Sequence, residues 1–145
     1  MAKRRGSDSR CCDPGGGALT WRDYEEKTHP SLVSLNAWLA QLAPFARAHE
    51  LGEIDELMEA AAQGQLWDSA DETTPIKPIR EDPEIFELRR TSLSKKLRFY
   101  HGEPVEMPAH LVRLHRHIKD GKSSQQIEIE HAAKRYDDGR QSSWG

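Results

Sequence analysis

The sequence predicts an α+β fold, in which an N-terminal helical hairpin packs on a small twisted antiparallel sheet of three to four strands and a C-terminal helix follows. Three short runs of strand character lie close together at residues 85–89, 97–101 and 111–118, separated by turn residues. Two stretches before these runs and one after them carry apolar residues at helical spacing. The 145 residues have the size of one domain.

Composition places that domain at residues 18–140. Residues 1–17 are rich in Arg, Ser, Asp and Gly and offer little to bury, which predicts a disordered tail, and residues 141–145 are expected to fray. No run approaches the roughly 20 apolar residues that a membrane span needs, so no membrane partner is expected. Cys11 and Cys12 are the only cysteines, and they are adjacent, so the expected location is the reducing cytoplasm.

The first predicted helix begins near Thr28 or His29, because Pro30 suits the first turn, where no backbone N–H is needed. An apolar stripe follows at Leu32, Leu35, Leu39 and Leu42. Pro44 is expected to kink or interrupt this helix. Leu51-Gly52 is expected to break the chain before a second helix at residues 53–64, with a stripe of Ile54, Leu57, Met58 and Ala61.

The remaining elements have weaker local signals. Residues 18–27 are ambiguous, and Thr20 followed by Asp23 resembles a helix cap, which favours a short helix over a strand. Two prolines make residues 74–79 extended and place them at an edge of the sheet or outside it. The last helix is predicted from Ser123 or Ser124 to Asp137.

Charge is divided sharply along the chain, although the net charge is only -3. Residues 50–87 contain twelve acidic and two basic side chains. Residues 89–122 contain nine Lys or Arg, four His and three acidic side chains. A strand region rich in Arg, Lys and His is suited to a polyanion, and RNA is the main candidate.

Alternation along residues 111–118 assigns side chains to two faces. Val112, Leu114 and Ile118 are predicted to point into the core. Arg113, His115 and His117 are predicted to point into solvent or a cleft. A histidine titrates near neutral pH, so His115 and His117 are candidate general acids or bases.

The order of these segments resembles a known family. Two helices precede a Lys-Pro-Ile run, the strand FELR, the strand LRFYH, the strand LHRHIK and a helix that ends in AAKR. Over residues 31–135 this order is similar to that of the RelE/HigB-like ribonuclease toxins, in particular their phage-derived branch. The resemblance implies cleavage of messenger RNA, often in the ribosomal A site, by attack of a ribose 2′-hydroxyl on the adjacent phosphate. It also implies a cognate antitoxin that covers the basic surface.

By position, the resemblance assigns Arg98 to the arginine that stabilises the phosphate and Arg89 to the arginine that ends the ELR strand. It places Lys119 and Lys122 in the basic cluster after the last strand. Here Asp120 and Gly121 interrupt that cluster, and the segment MPAH precedes the last strand as an insertion.

The expected reaction needs no metal or other cofactor, because cationic side chains stabilise the phosphate and titratable groups move the protons. The predicted catalytic residues are Arg98, His115, His117 and Lys119. The predicted RNA-binding residues are Arg89, Lys95, Lys96, Tyr100, Arg113 and Lys122, with Tyr100 stacking on a base. An alternative use of His101, His110, His115 and His117 as metal ligands lacks a third ligand at fixed spacing.

Two function classes therefore remain open. The first is a toxin-like endoribonuclease of a type II toxin–antitoxin system that acts on messenger RNA in association with the ribosome. The second is a catalytically silent RelE-fold protein that binds a protein or RNA partner, a reading that the interrupted lysine cluster favours. A nucleic-acid-binding accessory protein of a mobile element is a weaker third option.

Overall fold

The computed structural model describes residues 5–120 and 125–145. In these residues three α-helices accompany a five-stranded mixed sheet, which confirms the predicted α+β class. The helices are Pro30–Gln41 (α1), Pro44–Ala62 (α2) and Gln125–Gln141 (α3). The strands are Thr20–Asp23 (β1), Ile76–Glu81 (β2), Glu84–Ser92 (β3), Lys95–Gly102 (β4) and His110–Lys119 (β5). No helix described here is long and apolar enough to cross a membrane.

The strand order is β1-β5-β4-β3-β2, so the three predicted strands form the middle of a larger sheet. Strands β2 to β5 pair antiparallel, whereas β1 pairs parallel with β5. The short helix favoured for residues 18–27 was wrong, because this segment adds the strand β1. Its Trp21 packs into the core and donates a hydrogen bond from Nε1 to the Met58 carbonyl at 2.8 Å. These long-range contacts outweigh a weak local capping signal.

Helices cover both faces of the sheet, because the central strands are apolar on both sides. One core cluster joins α1 and α2 to the sheet through Leu35, Ile54 and Met58, which meet Phe86, Leu88, Leu97 and Phe99. The second cluster joins α3 to the opposite face through Ile129, Ala132 and Tyr136, which meet Ile85, Tyr100, Val112 and Leu114. The sheet is therefore the middle layer of three.

The first two helices differ from the prediction chiefly in where the second one begins. Pro44 does interrupt the first helix, and it then occupies the first turn of α2. The expected break at Leu51-Gly52 was wrong, since both residues lie inside α2. A helical glycine costs only about 1 kcal/mol relative to alanine. The buried residues Ile54 and Met58, one and two turns further on, anchor the helix against the sheet.

Residues 5–17 of the predicted disordered tail pack against the rest of the domain, and residues 1–4 of that tail lie outside the described residues. Residues 6–16 form three short 3-10 turns, and Cys11 is 0% exposed within the first core cluster. Gly64 makes this approach feasible: its φ is +69°, and a Cβ there would lie 2.2 Å from the Asp13 carbonyl oxygen. Cys11 also accepts a backbone hydrogen bond from Leu66 at 2.9 Å.

The C-terminal end is also packed, so the prediction of fraying was wrong. Trp144 is buried and contacts the rings of Tyr24 and Tyr136 edge-on, with centroids 5.4 and 5.6 Å away. Helix α3 runs to Gln141, four residues beyond the predicted end at Asp137. Its predicted start at Ser123 or Ser124 falls outside the described residues.

A bulge in β5 changes which side chains share a face. Tyr100 pairs with His115, but the next residue of β4, His101, pairs with Arg113, so Leu114 is an extra residue. Such a bulge resets the alternation of side chains. His115 and His117 therefore lie on the α3 side with Val112 and Leu114, not opposite them as predicted. Arg113 and Ile118 lie on the α1 and α2 side instead.

Candidate nucleic-acid interface

A cleft of about 1190 Å³ opens beside the β3–β4 turn. Its wall on one side is the acidic loop of residues 68–74, and its floor is formed by β2 to β5. Among the described residues, seven cationic side chains line it: Arg5, Lys77, Arg89, Arg90, Lys96, Arg98 and Lys119. Three acidic side chains, Asp68, Asp71 and Glu72, also line it. The cleft therefore carries a clear excess of positive charge.

Strand register explains why these cations converge. Arg89 pairs with Arg98 across β3 and β4, and Lys96 pairs with Lys119 across β4 and β5. Directly paired residues project from the same face of a sheet with Cβ atoms about 5 Å apart. Like charges at this separation repel each other, so the arrangement needs anions to stabilise it. One such anion is built into the protein.

Glu87 is the internal counter-ion of the cleft. Its side chain is 0% exposed. Its carboxylate lies 2.7 Å from Arg89 Nε and 3.4 Å from Arg98 Nε, and it accepts a hydrogen bond from Gln125 Nε2 at 2.8 Å. One carboxylate thus partly neutralises two guanidinium groups. The guanidinium groups are held in place, and a net positive charge is left toward the cleft.

Arg98 lies deepest among the cations. The residue is 6% exposed, and its Nη1 donates to the Leu97 carbonyl at 3.0 Å. Burial lowers the pKa of Arg98 from its ordinary value, while Glu87 opposes that shift. An arginine remains charged at every physiological pH, so Arg98 is a fixed cation on the cleft floor.

Lys119 and His117 are two further titratable groups on the same face as Arg98: His117 is its cross-strand partner, and Lys119 is close enough for the charge of Arg98 to act on it. Burial, followed by the charge of Arg98, lowers the pKa of Lys119. Burial also lowers the pKa of His117, which is 2% exposed. His117 Nδ1 lies 3.2 Å from the Ile118 carbonyl, and its Nε2 lies 2.9 Å from the Tyr100 hydroxyl. These partners assign the proton to Nδ1 and make Nε2 the acceptor from Tyr100.

The structure separates several predicted site residues from this cleft. His115 is buried and bonded through Nε2 to Glu128, whose other carboxylate oxygen accepts from Ser31 Oγ at 2.5 Å. Tyr100 is 1% exposed, so its ring has no free face on which a base could stack. Arg113 lies over the Trp21 ring on the opposite face, 5.1 Å from its centroid.

The positions of the other predicted site residues relative to the cleft are as follows. Arg89, Lys96, Arg98 and Lys119 all line the cleft, whereas His117 is buried and does not contribute to the lining. Lys95 is exposed at the β3–β4 turn, outside the lining. Lys122 lies outside the residues that the structure describes.

Sequence reasoning missed Glu87 as a functional residue and gave Lys77 no role. The signal for Glu87 was present in the strand FELR, where a carboxylate occupies the middle of an apolar run. Such a residue is buried only if it is paired. Lys77 lies in the edge strand β2, and the residues around it in the sequence do not indicate that its side chain lines the cleft.

Three histidines form a separate cluster behind the cleft. The ring centroids of His29, His115 and His131 lie 4.1 to 4.6 Å apart. Burial lowers the pKa of His131 to about 4, and the charges of His115, His29 and Arg135 act in the same direction, against Glu26. The folded protein therefore favours neutral His131.

This cluster makes stability fall in acid. The pKa of His131 is lower when folded than its ordinary 6.5, so its contribution is complete above pH 6.5 and is lost as pH falls toward about 4. We expect His131→Gln to flatten the dependence of the melting temperature on pH across this window. Thermal unfolding in a series of buffers measures this dependence, and His49→Gln, which replaces an exposed histidine of α2, is the control. An unchanged slope in His131→Gln would contradict the assignment.

Comparison of the chain with protein-family models, with curated proteins and with solved structures gives no match. What the cleft does is therefore inferred from its own charges, register and buried partners. The features to be explained are a floor of converging cations, a buried counter-ion and two titratable groups beside Arg98.

Proposed function

We propose that the protein is a toxin-like endoribonuclease of a type II toxin–antitoxin system, with a RelE-like arrangement of its elements, that cleaves messenger RNA on the ribosome in the cytoplasm. One observation carries this proposal: Arg89, Lys96, Arg98 and Lys119 come from three adjacent strands and line a single cleft. Such a surface is suited to a phosphate backbone. The family resemblance of the strands FELR, LRFYH and LHRHIK supplies the reaction.

In the proposed mechanism, the scissile phosphate docks against Arg98 and Arg89. A guanidinium fork donates to two phosphate oxygens and stabilises the charge that develops as the 2′-oxygen attacks. Lys119, whose pKa is lowered chiefly by burial, carries a proton at the edge of the same site. His117, the cross-strand partner of Arg98, is the second candidate proton carrier, but it does not line the cleft and its Nε2 is bonded to the Tyr100 hydroxyl, so this role requires that contact to open. His115 takes no part in this step, because its Nε2 is hydrogen-bonded to Glu128.

The mechanism uses protein cations rather than a metal ion or another cofactor. Within the described residues, two groups of side chains have the geometry to hold a metal, and neither contributes to the lining of the cleft. The phosphate charge is instead met by fixed arginines and lysines. We expect cleavage to continue in the presence of a chelator.

A cognate antitoxin is part of this proposal. The cleft would be covered by a segment of acidic chemistry, because seven cations line it and an anionic partner would displace RNA from them. Induced expression in a bacterial host tests the pair directly. Growth arrest, with rescue by the protein encoded in the adjacent reading frame, is the expected result.

A silent binding protein is the second candidate, and specific contacts favour it. Glu87 already partly neutralises Arg89 and Arg98, and His115 is sequestered by Glu128. A protein of this class would bind RNA in a salt-sensitive manner and leave no cleavage product on ribosomes. Primer extension on ribosome-bound messenger RNA distinguishes it from the endoribonuclease.

Lys96→Ala and Arg113→Ala should separate the two faces of the sheet. Lys96 is exposed in the cleft, so its loss is expected to weaken binding of single-stranded RNA and reduce the salt slope by about 0.7 to 1. Arg113 lies over Trp21 on the other face, so its replacement should leave the slope unchanged. Fluorescence anisotropy at several salt concentrations measures both. Equal effects of the two variants would contradict the placement of the interface.

A further inference from the structure

A second constellation lies where the N-terminal segment meets the end of β4, away from the cleft. Cys11 Sγ lies 3.6 Å from His101 Nε2, which lies 2.8 Å from Glu103 Oε2. The third side of this triangle, from Cys11 Sγ to Glu103 Oε2, is 4.0 Å. Cys11 and His101 are fully buried, and the Glu103 side chain is 5% exposed.

Each of these side chains is held by further contacts. Glu103 accepts from the Arg10 backbone N–H at 2.8 Å through Oε1, and from the Ser9 hydroxyl at 2.5 Å through Oε2. The Ser9 hydroxyl oxygen in turn accepts from the Cys11 backbone N–H at 3.0 Å. Partners that orient donor side chains in this way are typical of metal sites.

The His101 ring is fixed by packing as well. Trp21 meets it edge-on with centroids 5.6 Å apart, and Phe86 stacks on it with centroids 5.7 Å apart. The three donor atoms thus sit in an apolar pocket with little freedom to turn away. An apolar shell of this kind limits the access of water to a bound ion.

Hydrogen bonds alone do not give the donor atoms of Cys11, His101 and Glu103 good partners at the same time. Both the thiol and the carboxylate approach the same atom, His101 Nε2, which carries at most one proton. If Nε2–H donates to Glu103, it does not also serve Cys11, and the thiol is 4.0 Å from the carboxylate. A cation placed among the three atoms would satisfy all of them together.

We propose that Cys11, His101 and Glu103 bind a divalent transition-metal ion of the zinc type. Ligand bonds of about 2.0 to 2.3 Å at tetrahedral angles place donor atoms roughly 3.3 to 3.6 Å apart. The separations of 3.6, 2.8 and 4.0 Å lie near that range, and small side-chain shifts close the difference. Binding releases the thiol proton to solvent and leaves the imidazole neutral with its one proton on Nδ1, since the metal takes thiolate and neutral imidazole.

The donor set selects the class of ion. Thiolate and imidazole ligands favour zinc, cobalt or copper over magnesium or calcium, which prefer oxygen. A second group, His29, His115 and Glu128, has donor atoms within 4.8 Å of one another. It is the weaker candidate, because His115 Nε2 and Glu128 already form a close hydrogen bond and the group contains no thiolate.

The proposed ion would join residues 9–12 to the end of β4. That link would fasten the segment that carries Arg5 at the rim of the cleft. The inference does not rest on the proposed ribonuclease activity, and its test involves no RNA. It concerns how the N-terminal segment is held.

Cobalt titration of the full-length chain, prepared without a histidine tag and freed of metal, tests the proposal. We expect one equivalent of Co²⁺ to bind with a thiolate-to-cobalt charge-transfer band and intense d–d bands, and Zn²⁺ to displace it. At a Zn²⁺ concentration of about 100 times Kd, the melting temperature should rise by roughly 5–15 °C. A wild-type protein that shows no charge-transfer band overturns the proposal without recourse to any variant.

The adjacent cysteines provide a matched pair of variants. Cys11→Ser should remove the charge-transfer band, whereas Cys12→Ser should retain it, since Cys12 Sγ points to the Gly6 carbonyl at 3.4 Å. Glu103→Gln should weaken Co²⁺ binding by at least about tenfold and keep the band. His29→Gln, in the other group, should change nothing. A band that survives in Cys11→Ser, or disappears in Cys12→Ser, would refute the assigned ligands.

Discussion

Arg98→Ala should lower RNA cleavage by about 100-fold to 1,000-fold, the loss typical when one group that stabilises a developing oxyanion is removed. Arg98 is the most buried cation of the cleft, at 6% exposed, and charge acts most strongly where water is excluded. Cleavage of ribosome-bound messenger RNA, followed by primer extension over time, measures the effect. Growth arrest on induced expression gives an independent readout.

The variant should still fold, because Glu87 keeps Arg89 and Gln125 as partners when Arg98 is lost. Arg98→Lys serves as a charge-preserving comparison and should recover only part of the activity, since an ammonium group lacks the two-pronged geometry. Arg47→Ala, on helix α2 and outside the cleft lining, is the control. Full activity in a folded Arg98→Ala protein would remove Arg98 from the mechanism.

Glu87→Gln should destabilise the fold by about 3–5 kcal/mol, the usual result of removing one partner from a buried ion pair. Glu87 is fully buried, and its charge compensates both Arg89 and Arg98. Without it, the cross-strand pair of arginines keeps its repulsion and loses its counter-ion. Urea denaturation with a common m-value measures the loss.

The same change should strengthen RNA binding, because it adds one unit of positive charge to the cleft floor. Stability and affinity are thus expected to move in opposite directions, which a general packing defect would not produce. Glu81→Gln, exposed on the neighbouring strand β2, is the control and should alter stability by less than about 0.5 kcal/mol. A Glu87→Gln protein as stable as the wild type would show that the carboxylate is not the counter-ion.

Local pattern was enough to identify the central strands and both long helical regions. Strand-like runs separated by turn residues predicted β3, β4 and β5, and two prolines predicted that residues 74–79 lie at an edge of the sheet or outside it; the structure shows β2 as an edge strand. Prediction from local pattern failed where contacts between residues far apart in the sequence determine the structure. Trp21 becomes part of a strand because β5 offers a partner, and Cys11 is ordered because Gly64 leaves room for the chain beside it.

Part of the candidate site was also predictable, because it depends on which residues lie in strands. Arg89, Arg98 and Lys119 followed from strand assignment and the family resemblance, and the structure brings them to one cleft. Arg113 and His115 were placed on a common face because a regular strand alternates strictly. The extra residue Leu114 breaks that alternation, and no feature of the sequence marks a bulge there.

Both margins of the sheet are poor templates for adding another strand. At one margin β1 has only four residues, and at the other Pro78 lacks a backbone N–H and the register shifts between Pro78 and Arg80. Such edges disfavour edge-to-edge aggregation. It also means that a protein inhibitor would have to recognise the molecule through side chains rather than by extending the ladder of main-chain hydrogen bonds.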